Sequence, residues 1–125
     1  MQTRSHYGSL AGIGSWALEV SGAQRTVFLS AYQNRKRPTL AEQVEDVLAR
    51  FDDMLASSTM VRTNVVFYDV VCDPSVSDAE FHDVVMPALS IYFDMCGDAK
   101  PAVGPARFAR LLGGALVEIT MVAAD

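Results

Sequence analysis

The side chains that most often carry out chemistry in proteins are few in this 125-residue chain. Cys72 and Cys96 are its only thiols, and His6 and His82 are its only imidazoles. The sequence around the cysteines contains nothing that would lower a thiol pKa, and neither histidine has a partner at catalytic or metal-ligand spacing. The basic run 35–37 is expected to be a solvated loop, or alternatively to attract an anionic substrate to a pocket mouth. We predict no metal and, without a glycine-rich phosphate loop, no cofactor.

The most informative stretch is the last quarter of the chain, where residues 101–119 read PAVGPARFARLLGGALVEI. This stretch resembles the terminal two-strand signature of the reactive-intermediate deaminase (Rid, YjgF-like) family. That signature reads Pro-Ala-Arg, then an apolar strand ending Ala-Arg-Leu, a short turn and Val/Ile-Glu-Ile. Without gaps, Glu118 falls on the family's active-site glutamate and Val103 on its substrate-gripping arginine. An alternative register, which deletes four residues before Glu118, puts Arg107 on that arginine instead.

The resemblance extends over residues 14–122 and implies the rest of a pocket. The tripeptide at residues 14–16, Gly-Ser-Trp, is similar to the family's Gly-Pro-Tyr, so Trp16 would replace the tyrosine that lines the pocket. The segment VFLSA at residues 27–31 is similar to a strand that ends in Ser-Gly, which puts Ser30 at the pocket serine. Counted back from Pro101, a common pocket asparagine falls on Met86.

In the Rid family an arginine fork binds the carboxylate of a small imine or enamine, and a water ordered by a carboxylate attacks the imine carbon. Because valine cannot hold a carboxylate, Val103 is expected to weaken the binding of such substrates. The implied pocket is otherwise apolar and aromatic, with one hydroxyl and one acid, and suits a larger and less charged molecule. Desolvation in such a pocket is expected to raise the pKa of Glu118.

We therefore predict a divergent Rid-type enzyme that performs acid–base chemistry on an apolar or aromatic intermediate in specialised biosynthesis. Dehydration, tautomerisation, cyclisation and hydrolysis are all compatible with such a pocket. Glu118 would transfer the proton, Ser30 would donate a hydrogen bond, and Trp16 would provide a stacking surface. Arg107, expected on the same sheet face as Val103, is a candidate anion contact. Two alternatives stay open: an imine deaminase of the usual type, and a non-catalytic trimer that binds a small molecule or a partner protein.

Two amphipathic helices are predicted to support this pocket. The first begins with a capping box between Thr39 and Glu42 and ends at residues 57–59. The second begins with a capping box between Ser77 and Glu80, should kink at Pro87 and stops near residue 97. Apolar residues recur at helical spacing in both segments.

The other apolar segments are predicted to be strands. They cover residues 17–20, 25–30, 61–71, 106–112 and 116–122, with hairpins at 21–24 and 113–114 and a short extra strand near Tyr7. The order β-β-α-β-α-β-β predicts an α+β, chorismate-mutase-like sheet with two helices on one face, in a single domain over residues 1–125.

Bulk properties limit the partners. A net charge of −5 argues against nucleic acid, and no apolar run is long enough to span a bilayer. The N-terminus lacks the apolar core of a signal peptide, so the cytoplasm is the expected compartment. The second sheet face is also rich in apolar residues, which favours subunit association. Since Rid proteins form trimers with pockets between neighbours, a homotrimer with inter-subunit sites is expected.

Overall fold

Seven strands form one mixed sheet in a computed structural model that describes residues 1–10, 12–32 and 37–125. The strands are β1 Gln2–Leu10, β2 Gly14–Ser21, β3 Thr26–Tyr32, β4 Val65–Cys72, β5 Ala102–Val103, β6 Arg107–Phe108 and β7 Val117–Ala124. They are arranged in the order β1-β2-β5-β4-β7-β3. The short strands β5 and β6 both lie parallel to β4, while β7 lies antiparallel to it on the other side.

Both predicted helices are present. Helix α1 spans Leu40–Ser57, and the amide of Glu42 donates to the Thr39 hydroxyl at its N-terminus. The second helix comprises α-helical Asp78–Glu80, a π-helical turn over Phe81–Val85 and α-helical Met86–Tyr92. Only Met86 separates the π turn from Pro87, the residue at which a kink was predicted, so the helical hydrogen-bond pattern changes close to that proline. No helix in the described part of the chain is long and apolar enough to cross a membrane.

The two helices pack on one face of the sheet, as the α+β prediction required. The buried side chains of β4 and β7 alternate with less buried ones along both strands. The largest fully buried side chains, from strands, helices and the connections between them, are Tyr68, Phe51, Phe93, Leu55, Leu89, Ile119 and Met121. The core therefore lies between the sheet and the helices, and the opposite sheet face is left open in a single chain.

Neither predicted hairpin forms. Strand β1 is nine residues long rather than a short extra strand, and it pairs antiparallel with β2, so β3 pairs with β7 at the far edge instead. Residues 106–112 contribute only Arg107–Phe108 to the sheet, and β6 and β7 lie on opposite sides of β4. The 3-10 turn Leu112–Gly114, in which both glycines have positive φ, connects them. Short-range pattern indicates where strands occur, but their partners are chosen by long-range pairing.

Candidate functional site

An apolar cavity of about 210 Å³ lies between the sheet and the second helix. It is lined by Leu10, Ile13, Tyr68, Val70, Phe81, Met86, Leu89, Val103, Gly104, Pro105 and Ala106. None of these described lining residues carries a charge. The one polar group among their side chains is the Tyr68 hydroxyl, which donates to the carbonyl of Ile13 at 2.5 Å. Burial raises the pKa of Tyr68, so this phenol stays neutral and its hydrogen bond is retained.

Val103 and Met86, which the family resemblance placed in one pocket, both line this cavity. Val103 is the register partner of Tyr68 and therefore shares its helix-covered face. A Cβ on Gly14 would lie 2.8 Å from Cγ1 of Val103, so the backbone of β2 can approach this side chain only with glycine at that position. The glycine of the Gly-Ser-Trp segment thus shapes the wall of the cavity.

The polar and ionisable candidates lie on the open sheet face. Ser30, Thr120 and Asp69 are register partners across β3, β7 and β4. The Thr120 hydroxyl donates to Oδ1 of Asp69, and Nη2 of Arg107 donates to Oδ2 of the same carboxylate at 2.8 Å. Glu118 is half-buried and lies two residues from Thr120 along β7, on the same face.

Glu118 and Arg107 share a row on that face. Both are register partners of Val71, one on each side of β4. Two strand spacings place their Cα atoms about 10 Å apart. An anion held by Arg107 would therefore lie within side-chain reach of Glu118.

The predicted pocket is thus divided between the two faces of the sheet in one chain. Val103 and Met86 lie on the helix-covered side, whereas Glu118, Ser30 and Arg107 lie on the open side. The expectation that Val103 and Arg107 share a face was wrong, because residues 104–106 separate β5 from β6 and interrupt the alternation. Glu118 likewise does not project into the apolar cavity.

Trp16 is 62% exposed and is not among the lining residues of the cavity. It lies opposite an irregularity in β1, because the register changes between His6 and Ser9. In this bulge Tyr7 has a φ of 65° and is 88% exposed. Trp16 therefore has a neighbouring exposed aromatic residue that the sequence alone did not indicate.

The remaining candidates have structural explanations. Burial raises the pKa of Cys72 to about 11 and also raises the pKa of Cys96, so neither thiol is activated. Arg37 lies 3.7 Å from Glu42, whereas residues 35 and 36 of the basic run lie outside the described residues. Within the described ranges, no group of three or more His, Cys, Asp or Glu side chains converges as a metal site would require.

Asp69 was missed by the sequence interpretation, although a signal for it existed. It is the only charged residue in the strand VVFYDVVC, and an acid in the middle of an apolar strand needs partners. Thr120 and Arg107 supply them, but both come from strands that are distant in sequence. The sequence pattern of the strand could therefore have identified Asp69 as a residue that needs partners, but not which residues those partners are.

No protein-family model and no curated protein sequence matches this chain. Solved structures do match it. A Rid-family protein of unknown function from Yersinia pestis superposes with a TM-score of 0.80 at 20% identity, over 100% of both chains. A YjgF-family protein from Neisseria meningitidis gives a TM-score of 0.61 at 22% identity, over 100% of this chain and 96% of the other.

A third structure, from the YjgF/YER057c/UK114 family of Mycobacterium tuberculosis, gives a TM-score of 0.67 at 19% identity. It covers 89% of this chain and 86% of the other. At these identities the similarity concerns the course of the backbone. The strand order, the helix placement and these superpositions agree that the chain has the fold of the Rid/YjgF proteins.

Proposed function

We propose that the protein is a divergent member of the Rid/YjgF family that binds a small apolar or aromatic intermediate in the cavity beside Val103 and Met86. The observation that supports this most directly is the cavity lining, in which no described residue carries a charge. An apolar cavity of about 150 Å³ is large enough to bind benzene, so the volume here suits a molecule of one or two small rings. A free carboxylate would lose its hydration there without gaining a partner.

We infer that the working form is a homotrimer that uses the open sheet face. Phe28, Val122 and Phe67 are register partners on that face, and Phe28 is 78% exposed. An apolar row of this kind on an uncovered sheet usually marks an interface.

We further propose that subunits of the trimer also meet at the edge of the sheet beside the cavity, where Glu118 of a neighbouring copy would transfer a proton to or from the substrate. Ser30 would donate a hydrogen bond to a substrate oxygen or nitrogen, and Trp16 would stack on an aromatic ring. Dehydration, tautomerisation, cyclisation and hydrolysis all require this kind of proton transfer. A non-catalytic binding protein would use the same cavity without needing Glu118.

A second candidate, imine deamination, is favoured by the shared row of Arg107 and Glu118 on the open face. Arg107 could hold a substrate carboxylate and Glu118 could order the attacking water. The bond from Arg107 to Asp69 weakens this candidate, because the Asp69 carboxylate already neutralises the guanidinium.

Binding of indole tests the first candidate, with NMR shifts of backbone amides as the readout. We expect saturable binding to the wild type that Val103→Phe removes by filling the cavity. Val61→Phe is the matched control, because Val61 is exposed and outside the cavity lining. Equal binding by all three proteins would exclude the cavity as the site.

Ammonia release from freshly generated 2-iminopropionate separates the two candidates. We expect no release from the wild type and a gain in Val103→Arg, which restores the family's cation. Release from the wild type that Arg107→Ala removes would establish the deaminase instead. Light scattering of wild type and Phe28→Glu tests the trimer, which the introduced charge should dissociate.

A further inference from the structure

We propose that the groove between α1 and the second helix is a docking site for a basic amphipathic helix of a partner protein. This groove lies on the helix layer, away from the open sheet face that the proposed trimer uses. The inference is therefore independent of the proposed function and concerns a surface that stays accessible in a trimer.

The groove has the shape that a helix requires. Its volume is about 460 Å³, and its lining is Ala41, Val44, Glu45, Leu48, Ala49, Asp52, Arg62, Val84, Ala88, Ile91 and Tyr92. The α1 residues among these recur at helical spacing from 41 to 52, which corresponds to about 16 Å of helix. Small alanine side chains on both helices allow a partner to approach closely, and Ile91 is 76% exposed beside them. Three turns of an amphipathic helix would fill such a groove.

Polar groups close one end of the groove and satisfy one another. Asp52 accepts from Nε and Nη2 of Arg62 at 2.9 and 2.7 Å and from the Tyr92 hydroxyl at 2.8 Å. The Arg62 guanidinium also lies 4.0 Å from the centre of the Tyr92 ring. The cation of Arg62 is therefore already neutralised at this end.

The charge of the helix layer determines the sign of the charge that a partner should carry. Its residues, 40–57 and 78–92, include eight carboxylates and one arginine. Since the whole chain has fifteen acidic and ten basic residues, seven acidic and nine basic residues remain elsewhere, so the negative charge is concentrated in this layer. Glu45, in the groove wall, pairs with no basic side chain among the described residues. A lysine or arginine on the docking helix would complement it.

The test uses a fluorescein-labelled 14-residue peptide of leucine and lysine in an amphipathic helical pattern, followed by anisotropy. A peptide with glutamate in place of lysine is the charge control. We expect saturable binding of the lysine peptide alone, weakened about tenfold by Glu45→Lys and at least as strongly by Ala88→Arg. Asp53→Lys, which makes the same charge change on α1 outside the groove, should weaken binding about twofold or less.

Several results would overturn the proposal. Equal losses in Glu45→Lys and Asp53→Lys would mean that the acidic layer attracts the peptide without the groove. Equal binding of the glutamate peptide, or no saturable binding, would exclude a basic helix. Self-association that Ala88→Arg abolishes, with no peptide binding, would assign the groove to a second copy of the chain. Circular dichroism checks that the Ala88→Arg variant folds. If that variant does not fold, Glu45→Lys, at an exposed position, gives the decisive comparison.

Discussion

The two faces of the central sheet differ in what they offer a ligand, although the same strands build both. The helix-covered face holds a cavity whose described lining is uncharged, whereas the open face carries the Asp69 network, Arg107 and Glu118. Strand β4 shows the difference within a few residues, because Tyr68 and Val70 face the helices while Asp69 faces the open side. Alternation along the strands places the cavity and these ionisable groups on opposite faces of the sheet in one chain.

Truncation should have its largest effect on the helix-covered face. Leu89→Ala removes a fully buried side chain at the cavity wall and should lower the free energy of unfolding by about 3 kcal/mol. Phe28→Ala, on the open face, should cost about 1 kcal/mol or less in the monomer because Phe28 is mostly exposed. Urea denaturation at several protein concentrations measures both variants. A Phe28→Ala cost equal to that of Leu89→Ala at every concentration would contradict the contrast between the faces.

The polar network of the open face should contribute an intermediate amount. Asp69→Ala leaves Thr120 and Arg107 without their acceptor and should lower the free energy of unfolding by about 1–2 kcal/mol. Arg107→Ala, by comparison, removes an exposed partner and should cost about 0.5 kcal/mol. Urea denaturation of both variants tests this order. If Arg107→Ala costs more than Asp69→Ala, Asp69 is not the centre of the network.

On the helix layer, the ion pair between Asp52 and Arg62 should make the stability of the fold depend on pH. The hydrogen bond from Arg62 lowers the pKa of Asp52 in the folded protein. The bond therefore stabilises the fold fully above the pKa that Asp52 has in the unfolded chain, which is about 4. This stabilisation is lost as the pH falls through the lower pKa of the folded protein. Asp52→Asn should therefore cost about 1 kcal/mol at neutral pH, a value kept small because the pair is partly exposed. Thermal unfolding between pH 7 and pH 2 should show the difference from wild type shrinking. A difference that stays constant over this range would exclude the ion pair as its source.

The smallest expected effect concerns the exposed aromatic residue of β2. Trp16→Phe should change the free energy of unfolding by about 0.5 kcal/mol or less, because the indole is mostly in solvent. Since Trp16 is the only tryptophan, its fluorescence in the wild type also reports directly on association or ligand binding near β2. A shift of its emission to shorter wavelength with rising protein concentration would indicate that association covers this residue.

Much of the local structure follows from short-range pattern. The caps at Thr39 and Ser77 and the helical periodicity after them predicted both helices, since the hydrogen bonds involved span three or four residues. The terminal motif predicted the family fold. Of the residues that the resemblance assigned to one pocket, Met86 and Val103 line a common cavity, whereas Trp16, Ser30 and Glu118 are not among its lining residues.

Strand partners and faces were decided only by the tertiary structure. The nine-residue strand β1 pairs with β2, where the predicted hairpin would have placed β3, and β3 pairs with β7 instead. No local signal in the sequence distinguishes a β2–β3 pairing from a β1–β2 pairing. Residues 104–106, between β5 and β6, are not part of a strand. Counting alternate residues from Val103 therefore assigned Arg107 to the wrong face of the sheet. Sequence by itself therefore determined the helices and the approximate positions of most strands. Which ionisable groups lie near the cavity depends on pairings between distant segments, and only the folded sheet establishes them.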